Sequence, residues 1–214
     1  MKIFSYLIII FLGSFLILVS FNLLLFSKSF YRSEFRKLKV YDNFENPQIV
    51  NYESERLVNY LCCQQNLEGD FFSQRDKLHM ADVKNLVKMT TVYFFMVTIL
   101  IATFTFLLIE KKQLKSLLFG FRWGSMFTFI AISFLSTGIT FEFIDFNKAF
   151  VGGHYVLFSN DLWQLPPESN LIKLFPAQFF ADFANRLGSM ILITSLLIFI
   201  ITYFLEKKLV AKHR

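Results

Sequence analysis

Two of the three histidines in this chain, His79 and His154, each lie in a polar segment beside a long apolar stretch, while His213 lies in the charged C-terminal tail. Imidazole has an unperturbed pKa near 6.5. A facing pair can therefore remove a proton with one ring and donate a proton, or hold an oxyanion, with the other. Such a pair needs no protein nucleophile when the substrate brings its own. The sequence has no Gly-Xaa-Ser-Xaa-Gly elbow, no phosphate loop and no His-Glu-Xaa-Xaa-His zinc signature. His79 has Asp76 and Asp82 three residues to either side, on one helical face. A carboxylate there either orients the imidazole or pairs with Arg75, Lys77, Lys84 or Lys88 on a solvated face. Two histidines with Asp82 or Asp161 would also make a valid zinc set.

The elements that must position these residues are membrane spans. Hydrophobic residues make up 55% of the 214, and 30 are Phe. About 20 apolar residues cross the ~30 Å hydrocarbon layer as a helix, and residues 3–26, 89–109, 117–141 and 187–205 qualify. The first stretch exceeds the 7–15 residues of a signal-peptide core, and no small-residue cleavage pattern follows it, so it reads as an uncleaved anchor. No Asp or Glu lies mid-span, which argues against a pump, channel or secondary transporter. The net charge of +6 is not interleaved with aromatics as on a nucleic-acid platform, so it fits membrane topology and anionic headgroups instead. Arg122 and Trp123 read as snorkelling and interface anchoring at the start of the third span.

Orientation follows from the short loops, where basic bias is informative. Lys111, Lys112 and Lys115 face Glu110 alone, and the tail sets Lys207, Lys208, Lys212 and Arg214 against Glu206. In residues 27–88, by contrast, ten basic residues are balanced by nine acidic ones. The expected architecture is all-α and integral to the membrane: one membrane domain of residues 1–214, with four transmembrane helices. Residues 27–88 and 142–186 form an extracytoplasmic cap that carries both His79 and His154, and both termini are cytoplasmic. The cluster Lys28, Arg32, Arg36, Lys37 and Lys39, just after the first span, opposes this orientation.

Within the first large segment, Asn46 and Pro47 are an N-cap and first-turn proline, followed by Ile49, Val50, Leu57, Val58 and Leu61 at helical spacing. Residues 66–70 read as a turn, and residues 71–88 as a helix running into the second span. The second segment is rich in aromatics: Phe143, Phe146, Phe150, Tyr155, Phe158, Trp163, Phe175, Phe179, Phe180 and Phe183. These form either an interface belt or a cover for the bundle and a lipid-binding cleft. Pro176 can open an amphipathic helix that continues into the last span. Cys62 and Cys63 are adjacent; a disulfide between neighbours would need a strained ring, so they read as two small packing residues.

Two stretches carry a resemblance. Residues Phe72 to Lys84 read Phe-Ser-Gln-Arg-Asp-Lys-Leu-His-Met-Ala-Asp-Val-Lys. Downstream come His154, Phe158-Ser-Asn-Asp-Leu-Trp163, Pro167, Asn170-Leu-Ile172 and Phe175-Pro-Ala-Gln-Phe-Phe180. Together they resemble the bacterial lipoprotein intramolecular transacylases, the Lit family. The resemblance implies transfer of the sn-2 ester acyl chain of an S-diacylglyceryl N-terminal cysteine to its own α-amine, which leaves a lyso-form lipoprotein. It implies His79 and His154 as the essential pair, a diacylglyceryl-modified lipoprotein N-terminus and membrane lipid as partners, and no cofactor or metal. His79 is then expected to be the base and His154 the acid or oxyanion donor, with these roles exchangeable. Arg75, Lys84, Asn160, Asp161 and Trp163 are candidates for orienting substrate. Gly152 and Gly153 precede His154 where the family commonly has Phe, which leaves that backbone permissive. An integral-membrane metal-dependent hydrolase and a non-enzymatic membrane scaffold are the competing readings.

Overall fold

The computed structural model describes residues 2–63, 66–140 and 145–212. Phe141, Phe143 and His213 lie outside them. Among the described residues eight helices follow one another: α1 (Lys2–Leu25), α2 (Lys28–Lys37), α3 (Pro47–Cys62), α4 (Gln74–Glu110), α5 (Leu114–Thr140), α6 (Phe146–Leu157), α7 (Asn170–Leu174) and α8 (Ala177–Lys212), with a 3₁₀ turn at Val40–Asn43. No strand occurs among the described residues. Among the described residues four helices, α1, α4, α5 and α8, are long and apolar enough to cross a membrane. The 37 residues of α4 measure about 55 Å at 1.5 Å per residue, well beyond a ~30 Å hydrocarbon layer. Its polar first turns, residues 74–88, therefore extend past the apolar stretch.

The chain forms two compact units. The first comprises Met1–Asn22, Val92–Phe141 and Arg186–Arg214 and holds the apolar stretches. Between helices in lipid the hydrophobic effect supplies little drive, and small residues that allow close backbone approach take over. Gly120 and Gly124 have that role on α5. A Cβ at Gly120 would come 3.0 Å from the Ser5 carbonyl of α1, and one at Gly124 would come 3.0 Å from Leu12. Around this contact Ile8, Leu108 and Leu117 form one buried cluster, and Leu12, Leu16 and Ile191 another. Arg122 differs from its sequence reading. Its guanidinium pairs with Glu206 of α8, so the charge is neutralised between two helices in addition to lying near the Trp123 ring.

The second unit comprises Leu23–Thr91 and Glu142–Asn185. α3 starts where the sequence places it, with the Asn46 side chain accepting from Gln48 N at 3.0 Å and Pro47 in the first turn. Gly69 takes φ +84°, a left-handed conformation suited to glycine, and turns the chain toward α4. An aromatic core of Tyr31, Phe35, Phe175 and Phe179 forms where α2 meets the start of α8, with ring centroids 5.1–6.1 Å apart and largely edge-to-face geometry. Phe30 and Phe183 extend it. Much of the aromatic residue content of this unit is thus internal packing. Cys62 and Cys63 are exposed rather than packed and are joined as a vicinal disulfide, contrary to the expectation of two buried small residues.

Candidate active site

The site is assembled from the first turns of α4, the helix α6 and the loop that follows α6. At the start of α4, Ser73 and Asp76 cap each other. Asp76 N donates to Ser73 Oγ at 3.1 Å, and Ser73 N donates to Asp76 Oδ2 at 2.9 Å, a reciprocal arrangement that satisfies two otherwise unpaired helix-end donors. Asp76 is fully buried. Its second oxygen, Oδ1, accepts from Ser169 Oγ at 2.7 Å, while that hydroxyl also caps α7 by accepting from Leu171 N. Asn170 Nδ2 donates to the Phe71 carbonyl at 2.7 Å. Residues 169–170 are thereby fastened to residues 71–76. Asp76 neither bonds to the imidazole nor lies on a solvated face, the two roles the sequence left open. The Ser-Xaa-Xaa-Asp spacing at residues 73–76 was the available signal for the cap; nothing near Ser169 announced its partner.

His79 follows one turn later and is 8% exposed. Its Nδ1 is buried and has no hydrogen-bond partner among the described residues. Burial holds the imidazole below the ordinary histidine value of 6.5, the charge of a protonated His154 pushes the same way, and Asp82 and Asp76 oppose both.

His154 lies in the last turn of α6, which Asp145 caps by accepting from Lys148 N. Gly152 and Gly153 continue the helix, and a Cβ added at either would meet no heavy atom within 4 Å, so the permissive backbone before His154 is helical. No residue of α6 is buried. The His154 ring is fixed by its Nδ1–H, which donates to the Phe150 carbonyl at 2.7 Å, and by Phe150, Trp163 and Phe158 at centroid distances of 4.5, 5.0 and 5.6 Å. Phe158 also packs edge-on against His79 at 5.1 Å. The two imidazole centroids are 6.2 Å apart, close enough for one small group to meet both rings.

The loop after α6 is clamped to α4 on either side of His79. Asn160 Nδ2 donates to Asp82 Oδ2 at 2.9 Å while Asn160 Oδ1 accepts from Leu162 N. Arg75 donates to the Asp161 carbonyl and lies 3.5 Å from its carboxylate. The structure therefore gathers Arg75, Asn160, Asp161 and Trp163 around the histidine pair. Lys84 is engaged elsewhere: its ammonium donates to the Cys63 carbonyl at 3.0 Å and lies 4.1 Å from the Tyr60 ring. Among the described residues no group of three or more His, Cys, Asp or Glu gathers as a metal site; Asp82 and Asp161 are turned toward Asn160 and Arg75.

This geometry can be set beside known proteins. The crystal structure of the membrane-integral lipoprotein intramolecular transacylase Lit from Bacillus cereus superposes with a TM-score of 0.84 at 24% identity, covering 97% of this chain and 96% of that one. Variants of that protein with one histidine changed to arginine or to alanine superpose with TM-scores of 0.80 and 0.79, at 24% and 23% identity, over 99% and 97% of this chain and 94% of theirs. At these identities the likeness concerns the fold. No curated protein matches by sequence. The family model for lipoprotein intramolecular transacylase Lit, however, matches residues 6–180, a stretch that includes both paired histidines. The chain belongs to the lipoprotein intramolecular transacylase family and is an acyltransferase of the membrane.

Proposed function

We propose that the chain moves the sn-2 ester acyl group of an S-diacylglyceryl lipoprotein N-terminus to the α-amine of the same cysteine, using His79 and His154. The observation that carries this reading is the pair of imidazoles 6.2 Å apart, one with a buried ring nitrogen left without a protein partner among the described residues. Burial favours neutral His79, which suits it to take a proton from the substrate ammonium. The amine then attacks the ester carbonyl. His154, with its Nδ1–H held by Phe150, offers an Nε2–H only as the imidazolium, and in that form it donates to the tetrahedral oxyanion and then protonates the leaving oxygen. A C–N bond forms and the ester C–O bond breaks; of the two protons the ammonium loses, one ends on the glyceryl oxygen and the other passes from His79 to solvent. Because both reacting groups belong to one substrate, orientation supplies much of the acceleration. Arg75, Asn160, Asp161 and Trp163 hold the loop and the rings in that orientation.

The same reading puts both termini inside the cytoplasmic membrane and residues 27–88 and 142–186 outside it, on the side where the lipid-anchored substrate is presented. Single reporter cysteines at Ser159 and Gln113, in a background without Cys62 and Cys63, test it with an impermeant reagent: labelling of the Gln113 reporter but not the Ser159 reporter in intact cells would invert the topology. Mass spectrometry of a synthetic diacylated lipopeptide after incubation with purified protein tests the chemistry. The expected product carries one acyl chain on nitrogen; release of free fatty acid with an unmodified amine would identify a hydrolase instead.

A further inference from the structure

The basic cluster after the first span has no part in the acyl-transfer site, and it lies on the side that insertion bias disfavours in the proposed topology. Only Phe26 and Ser27 separate α1 from α2, so α2 begins at headgroup depth whichever way the chain is inserted. Tyr31 and Phe35 of α2 are buried, while Lys28, Arg32 and Arg36 form an exposed stripe at successive i, i+4 positions. Lys39 follows, also exposed. Glu55 of α3 sits between the first two cations, 2.8 Å from Lys28 and 3.1 Å from Arg32. Lys37 is shared by Glu34 and Asp182. Among the described residues no carboxylate pairs with Arg36 or Lys39, so the cluster keeps an excess of positive charge.

Beside this stripe is a cavity of about 130 Å³ whose lining combines apolar Leu25, Phe26 and Val58 with polar Lys28, Arg32, Asn51 and Glu55. A lining that joins Leu25, the last residue of α1, to a Lys–Arg pair brings together the apolar and cationic groups that a glycerophospholipid needs for its acyl carbonyls and its phosphate. We propose that this cavity binds the headgroup of an anionic phospholipid, with Arg32 and Lys28 on the phosphate and Glu55 as the internal anion the lipid displaces. Arginine matches phosphate geometry in a planar fork, and basic residues beside a span are drawn to anionic lipid. The inference does not depend on the acyl-transfer reading, because none of these residues touches the histidine pair.

The test is native mass spectrometry of the full-length protein in detergent with phosphatidylglycerol or phosphatidylcholine of identical acyl chains. Phosphatidylglycerol should be retained at least about fivefold better. Lys28→Gln with Arg32→Gln should remove that preference, and Lys148→Gln, an exposed cation of α6, should leave it intact. Glu55→Gln should raise phosphatidylglycerol retention about threefold, a gain that misfolding cannot imitate. Equal retention of the two lipids by the wild type, unchanged preference in the double variant, or weaker binding by Glu55→Gln would each overturn the proposal. So would displacement of the lipid by millimolar inorganic phosphate, which would mark a simple anion site.

Discussion

Ser169 is the residue whose removal most directly tests the construction of the site, although it contacts neither histidine. Its hydroxyl donates to the buried Asp76 at 2.7 Å and caps α7 by accepting from Leu171 N at 3.1 Å. In Ser169→Ala the cap is lost, at about 1 kcal/mol. A buried carboxylate oxygen also loses its partner, at about 1.5–3 kcal/mol for a hydrogen bond to a charged group. Since one hydroxyl serves both, the combined loss is about 2–4 kcal/mol. For a chain of this length each kcal/mol moves the thermal midpoint by about 2–4 °C, so circular dichroism of the purified protein in detergent should show a fall of about 5–15 °C. Acyl transfer should fall with it, because residues 169–170 no longer hold the start of α4 that carries His79. Ser169→Thr keeps the hydroxyl and the cap and should restore most of both. A midpoint within about 2 °C of wild type, with unchanged rate, would refute the role given to this network.

His79→Ala and His154→Ala should each lower lyso-form production by about 10²–10⁴ while insertion and expression hold; wild-type amounts of lyso-form in both variants would falsify the two-histidine chemistry. Folded His79 titrates below 6.5, so between its folded value and 6.5 the unfolded chain binds a proton that the folded chain does not. Stability should therefore be full above about pH 6.5 and decline as pH falls through that window, and melts at about pH 5 to 7.5 should show a shallower decline in His79→Gln. Asn160→Ala, which frees Asp82 and the loop, should slow transfer about tenfold, whereas Lys84→Ala should change the rate by less than about threefold, because its ammonium engages Cys63 and Tyr60; kinetics on a diacylated lipopeptide that reverse this order would contradict the placement of the site. Gly152→Ala, with open space around the new methyl group, should leave the melt unchanged or raise it by about 0.5–1 kcal/mol equivalent.

What could be read from the residues alone was mostly local. Four apolar runs long enough to cross the bilayer are self-announcing, since nothing else explains such stretches in one chain. Asn46 and Pro47 announced the start of α3 for the same local reason. Beyond the His79–His154 pair, which the resemblance implied, pairings across long separations were invisible. Arg122 read as a snorkelling cation because its neighbours are Phe121 and Trp123, yet its partner Glu206 lies 84 residues away. Asp76 had solvated lysines as sequence neighbours, and the hydroxyl that fills its second oxygen comes from 93 residues downstream. The aromatic segment divided for a similar reason. Phe175 and Phe179 join a core whose other half is on α2, while Phe150, Phe158 and Trp163 surround an imidazole, and composition cannot tell these fates apart. Lys84 belonged to the motif by spacing, but a helix turns about 100° per residue, and five residues past His79 it presents to α3.

The two histidines stand on elements anchored very differently. α4 brings buried Asp76, His79, Met80 and Val87 to its first turns, whereas α6 buries nothing and includes two glycines. Opening free energies follow buried contacts, so amide protons around His79 should exchange only in rare, near-global events, while those of α6 exchange through frequent local ones. On the proposed two-histidine chemistry, His154 would be presented to substrate only while α6 is formed, a helix on which Val151, Tyr155 and Val156 are exposed. On that proposal the ring held within its helix by Phe150 and its aromatic neighbours moves with α6 as a unit, while His79 stays with the buried first turns of α4.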